Sequence, residues 1–97
     1  LKNSQAIKEQ SEKLQAELAE LTAEGSSGGR MVNIKINGKF ELQEITLDPI
    51  CVDNRDVKML EDLIIAAHNN AMQNIQEKIK EKSASLLGGL NLGNFGL

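Results

Sequence analysis

Residues 56–89 read DVKMLEDLIIAAHNNAMQNIQEKIKEKSASLLGG, and whatever covers this stretch decides the fold. It holds no proline, and no glycine before its closing Gly88-Gly89 pair, so it reads as one helix. A helix of about 30 residues runs roughly 45 Å. A compact domain of this length has a radius of gyration near ~13 Å. The helix is therefore longer than its own domain can cover. Two apolar lines run along it. Val57, Leu60, Ile64, Ala67 and Ala71 form the first, with Leu63 beside it, and its small alanines suit close packing on a sheet. Ile65, His68, Met72, Ile75, Ile79, Lys82 and Leu86 form the second, at alternating steps of three and four. The first line stops near Ala71, where a small sheet is expected to end. The second runs on, and a second copy of the chain is the economical source of its cover. Ile65, His68, Met72, Ile75, Ile79 and Leu86 are accordingly expected at a homodimer interface.

The sheet itself is announced upstream, in RMVNIKINGKFELQEITLD, residues 30–48. Val32, Ile34 and Ile36 alternate with Asn33 and Lys35, as a half-buried strand requires. Asn37-Gly38 suggests a two-residue hairpin turn of primed type I, with positive φ at both positions. The return strand begins on the parity of Phe40 and Leu42 and changes to that of Ile45 and Leu47. A bulge or a strong twist is expected near Gln43-Glu44. Asp48-Pro49 ends the strand, and Asp53 or Asp56 is placed to cap the following helix. A two-stranded hairpin is marginal by itself, so the long helix is expected against one face, with a third strand from elsewhere in the chain. By propensity AEGSSGG, residues 23–29, is a loop. No Gly-Lys-Ser/Thr follows it, which removes a phosphate-loop reading. Residues 2–21 form a helix of strong helix formers, with Ile7, Ser11, Leu14, Leu18 and Leu21 on one seam. The expected organisation is a single domain: N-terminal helix 1–21, β-meander 22–49, long helix region 53–88 and tail 89–97.

Composition narrows the function. Phe40 and Phe95 are the only aromatic residues in 97, with no Trp or Tyr, so platforms for stacking unpaired bases are missing. Lone Cys51 cannot form an internal disulfide, which fits a reducing cytoplasm. No apolar run approaches the ~20 residues of a membrane span, and nothing resembles a signal peptide. The chain starts at Leu1 rather than Met, and a trimmed or disordered natural N-terminus is expected. No constellation supports catalysis or a cofactor. His68 has no second histidine as company, Cys51 has no activating base, and the DNRD at 53–56 lacks the glycine and terminal glutamate of a calcium loop. The reading is not an enzyme, with no cofactor, no metal, no small-molecule substrate and no membrane. Net charge is −3, but its distribution is uneven. Lys2, Lys8 and Lys13 outnumber Glu9 and Glu12 at one end, and Lys78, Lys80 and Lys82 outnumber Glu81 at the other, around an acidic middle.

These elements, in this order, resemble the YbaB/EbfC family of bacterial nucleoid-associated proteins. The stretches carrying the resemblance are KLQAELAELTAEGSSGGRMVNIKINGKFELQEITLDP, KMLEDLIIAAHNNAM and the closing GGLNL. The resemblance spans nearly the whole chain; His68 stands where the family usually shows Phe. It implies an α+β fold of order α-β-β-β-α with a small antiparallel sheet, and so a third strand within residues 21–27. It further implies a homodimer built around the sheets, with long helix ends projecting as arms. The implied partner is double-stranded DNA, bound with low sequence specificity in the cytoplasm at the nucleoid, with a role in nucleoid organisation or gene regulation. Carried onto this chain, the contacts fall on Lys2, Lys8, Lys13, Lys78, Lys80 and Lys82. The alternative is a cytoplasmic scaffold dimer whose helical arms dock another protein.

Overall fold

A computed structural model of the chain describes residues 2–88, with side chains from Ala6 to Ser85; the tail at 89–97 lies outside the described residues. The element order is α1 (Lys2–Glu20), β1 (Thr22–Ser27), β2 (Val32–Asn37), β3 (Leu42–Leu47), a 3-10 turn (Pro49–Cys51) and α2 (Val57–Gly88). The sheet is antiparallel, in the order β1-β2-β3. This is the expected α-β-β-β-α arrangement.

The third strand lies where propensity alone gave a loop. TAEGSS is a poor strand by composition, and a tertiary contact explains it. A Cβ on Gly25 would lie 2.1 Å from the Ala71 backbone nitrogen and 2.5 Å from the Ala67 carbonyl oxygen. Only a residue without a side chain lets α2 rest directly on β1. The small side chains of Ala67 and Ala71, both fully buried, complete the approach. Around that contact Ala23, Val32, Ile34, Ile36, Cys51 and Ile75 close the core.

Both hairpin turns differ from the simplest reading of the sequence. Positive φ falls on Gly28, Gly29 and Arg30 in the β1–β2 turn, where the Met31 N–H donates to the Gly28 carbonyl. Gly29 and Arg30 thus occupy the two central positions of a primed turn. The β2–β3 connection is a three-residue loop instead. The Phe40 N–H donates to the Asn37 carbonyl at 2.9 Å, and Phe40 itself takes φ 62°; a left-handed residue closing a three-residue loop is a common hairpin solution. Asn37, 2% exposed, organises it. Its Oδ1 accepts from the N–H groups of Lys39 and Glu41, and its Nδ2 donates to Glu41 Oε1. Gly38 serves a different need. Its N–H donates to the carbonyls of both Leu18 and Leu21 at 2.9 Å, and a Cβ there would meet Leu18 O at 2.4 Å. The glycine of the Asn-Gly pair admits the end of α1 rather than supplying a left-handed turn position. The bulge falls where expected: Lys35 pairs with Glu44 and Ile36 with Leu42, leaving Gln43 extra.

Asp48 Oδ1 accepts from the Ile50 N–H and starts the 3-10 turn. Asp56 caps α2 by accepting from the Met59 N–H at 3.1 Å. Asp53 is held by Arg55 instead, through a 2.9 Å ion pair that keeps its carboxyl below the ordinary aspartate value.

Candidate nucleic-acid interface

The molecule is long, 60 × 31 × 16 Å, with a radius of gyration of 18.4 Å. Its length comes from the helices. α2 runs antiparallel to β1, and three side chains one helical turn apart record the alignment. Asn70 Oδ1 accepts from Ser26 N–H at 3.1 Å, Asn74 Nδ2 donates to the Glu24 carbonyl at 2.7 Å, and Lys78 Nζ donates to the Thr22 carbonyl at 2.5 Å. Thr22 is the first residue of β1, so α2 leaves the sheet near Lys78 and continues for about 15 Å at the helical rise. α1 leaves from the same end, tied at Gly38.

This alignment corrects the expected division of α2 into two independent lines. Ile75 is fully buried in the chain's own core, and Met72 and Ile79 pack against that core. The reason is the third strand: β1 carries the sheet past Ala71, and the second line merges with the first. Ile75 therefore offers no surface to a partner. Ile65 remains 57% exposed and His68 half-buried. Both lie on the flank of α2 opposite the one bonded to β1, the flank that faces toward β3. There α2 leaves the sheet uncovered. Ile45 pairs with core residue Ile34 and Leu42 with Ile36, on the same face as the helix, yet they are 42% and 50% exposed. The Leu86 side chain lies outside the described residues.

The lysines divide into engaged and free. Lys78 is bound to the Thr22 carbonyl, and Lys82 lies 3.8 Å from Glu17 of α1. Lys8, Lys13 and Lys80 are exposed and have no ion-pair partner among the described residues. The side chain of Lys2 lies outside the described residues. Over residues 6–20 and 76–88, five lysines face six glutamates (Glu9, Glu12, Glu17, Glu20, Glu77 and Glu81). The arms are charge-balanced, not basic, once their inner turns are included. On the hairpin, Lys35 stands in register between Glu24 and Glu44, so two carboxylates flank it across the sheet. Among the described residues no group of three or more His, Cys, Asp or Glu is placed to hold a metal, and no helix is long and apolar enough to cross a membrane.

The comparison with known proteins settles the lineage. The profile of the YbaB/EbfC DNA-binding family matches residues 1–90. The chain belongs to the YbaB/EbfC family. Bacterial relatives include a nucleoid-associated protein of Acidobacterium capsulatum, 50% identical over 90 residues that cover 88% of this chain and 83% of the relative. A nucleoid-associated protein of Caldanaerobacter subterraneus subsp. tengcongensis is 44% identical over 92 residues, covering 95% and 83%. Among solved structures, an uncharacterized protein of Helicobacter pylori superposes with a TM-score of 0.67 at 20% identity, covering 86% of this chain and 87% of that one. That likeness speaks to the fold. As a YbaB/EbfC protein the chain is of a DNA-binding family.

Nothing in the sequence by itself assigns Asn70 and Asn74 to the edge of β1. Their signal was present in the spacing of four, but its meaning depends on β1 being a strand.

Proposed function

We propose that this chain is a nucleoid-associated protein that binds double-stranded DNA as a homodimer, with little sequence discrimination. The observation carrying the reading is the family match over residues 1–90. Dimerisation is supported by the apolar surface that one chain leaves open, in which Leu42, Ile45 and Ile65 are 42–57% exposed; such patches mark interfaces. In the dimer Ile65 and His68, with Met72 and Ile79 at the border, lie against the partner, while Ile75 supports them from inside. DNA is met by the projecting helix ends through Lys8, Lys13 and Lys80, with Lys2 beyond them. Isolated lysines position phosphates and read no bases, hence the weak discrimination. A role in nucleoid organisation or gene regulation follows from such binding.

Titration of unrelated duplexes at several salt concentrations tests this. With Lys8, Lys13 and Lys80 of both protomers on phosphates, six counterions are released and log K falls with a slope near about −5 against log[salt]. Reversing Lys8, Lys13 and Lys80 to Glu is expected to abolish binding and leave the dimer intact. Lys39→Glu, on the hairpin, is the control and is expected to change little. Lys78 is a poor test because its loss also opens β1. A scaffold dimer docking another protein is the second reading, favoured by exposed Ile7 and Leu14 on α1 and by the balanced charge of the arms. Salt-independent binding to a protein, with no shift of any duplex, would establish that reading instead.

A further inference from the structure

Residues 63–76 of α2 contain no aspartate, glutamate, lysine or arginine. This is nearly four turns of helix without a charge in a chain that is 26% charged. Five of these residues are amides. Asn70 and Asn74 face β1 and bond its edge. The other three, Asn69, Gln73 and Gln76, are exposed. Their spacing of four and three, continued by four to Lys80, sets all four side chains on one line turned away from the sheet.

The fold does not require this line. Helix propensity suits Gln73 and Gln76 but not Asn69, a weaker helix former, and it favours Glu, Lys and Arg equally at such positions, so it does not explain the absence of charge. Elsewhere α2 carries charge at its exposed positions: Lys58 pairs with Asp62 at 2.8 Å before the stretch, and Glu77, Lys80 and Glu81 follow it. Gln73, Gln76 and Lys80, with Asn74 and Glu77, line a shallow open depression of about 420 Å³. From residue 69 to residue 80 the line runs roughly 16 Å, the length of about five base-pair steps. A helix about 10–12 Å across fits a major groove about 12 Å wide. A primary amide offers a donor and an acceptor side by side, and without a charge it does not repel phosphate.

We infer that the outward line of Asn69, Gln73, Gln76 and Lys80 on α2 is a duplex-contacting face, whose amides hydrogen-bond to DNA while Lys80 holds a phosphate. The inference rests on the DNA-binding reading above and adds to the arm lysines a neutral contact that lies over the sheet. It accounts for how a chain of net charge −3 with balanced arms holds a polyanion: part of the binding is carried by groups that displace no counterions.

The test uses the full chain and a duplex of about 20 base pairs, titrated by fluorescence anisotropy over a range of salt. Gln73→Ala with Gln76→Ala is expected to weaken binding roughly tenfold with the salt slope unchanged, since neutral amides release no ions. Lys80→Ala is expected to make the slope shallower by about 0.9 for each protomer in contact. Gln73→Glu with Gln76→Glu, nearly identical in size, is expected to weaken binding further. Helix content by circular dichroism is expected to stay at the parent level in all three. Binding by both double variants within twofold of the parent overturns the inference and leaves arm-mediated DNA binding standing. So does a loss in the alanine variant that comes with a shallower slope, because the arms are then what has been disturbed. A parent chain that binds no duplex at any salt overturns the DNA reading itself.

Discussion

The two edges of the sheet are opposites. On β1 the outward-facing Ser26 N–H and the carbonyls of Glu24 and Thr22 are each met by a side chain from α2. The match is metrical. Two residues of strand advance about 6.6 Å and four residues of helix about 6 Å, so Asn70, Asn74 and Lys78 fall in step with alternate strand residues. No other element bonds to the outer edge of β3 among the described residues, and its apolar side chains are half bare. An exposed edge invites another strand or another surface. One edge is closed by the chain's own helix; the other, with the flank of α2 beside it, is where a second copy has room to pack. The fold is thus directional before any partner arrives.

Breaking the closed side should have the largest effect. Gly25→Val places a branched side chain into the backbone of α2 at Ala67 and Ala71, where even one carbon has no room. The expected cost is at least about 3 kcal/mol, the upper range of overpacking against atoms that cannot yield, read as a lower denaturant midpoint or outright failure to fold. On the open side the same kind of insult should spare the monomer. Ile45→Asp is expected to leave the chain folded, because the residue is 42% exposed within one chain. It should abolish the dimer, since an unpaired charge buried at an interface costs several kcal/mol. Light scattering would then report the monomer mass for the variant and twice that mass for the parent; a parent that is a stable monomer at micromolar concentration ends the dimer reading. The smallest effect is expected from Asn74→Ala, which removes one bond from a partly solvated edge. About 1 kcal/mol of stability should be lost, accompanied by faster exchange of β1 amides with solvent. Unchanged exchange would mean that water closes the edge as well as the asparagine does.

The sequence made the β2–β3 hairpin plain because its strands alternate and Asp48-Pro49 marks their end. The change of parity between Leu42 and Ile45 also marked an irregularity, a bulge or a strong twist, and the register shift shows that it is a bulge. β1 was hidden. Its identity rests on Gly25, whose value is the absence of a side chain under a helix more than 40 positions away. The family resemblance implies that strand, but propensity and periodicity alone leave a loop there, and on that reading Ile75 and Ile79 are uncovered and a partner is asked to do what the sheet already does. Asn37-Gly38 marked the right hairpin but suggested the wrong turn, because local preference does not register that α1 ends against Gly38. The lysines of the candidate interface were legible as residue types. Which of them are engaged was not, since Thr22 and Glu17 meet Lys78 and Lys82 only through the fold. The uncharged run at 63–76 stands openly in the sequence, but only the placement of β1 separates its inward amides from its outward ones.

The tie between Gly38 and the carbonyls of Leu18 and Leu21 gives α1 a pivot. Among the described residues, the helix is otherwise steadied near that end by the Glu17 contact with Lys82. Lys13 and Lys8 sit farther out, Lys8 about 15 Å from the pivot at the helical rise. α1 is therefore a lever: a tilt of about 10° at Gly38 swings Lys8 through nearly 3 Å, comparable to the rise between neighbouring base pairs. Where the outer turns of α1 lie is thus set not at their tip but by one peptide N–H at the base.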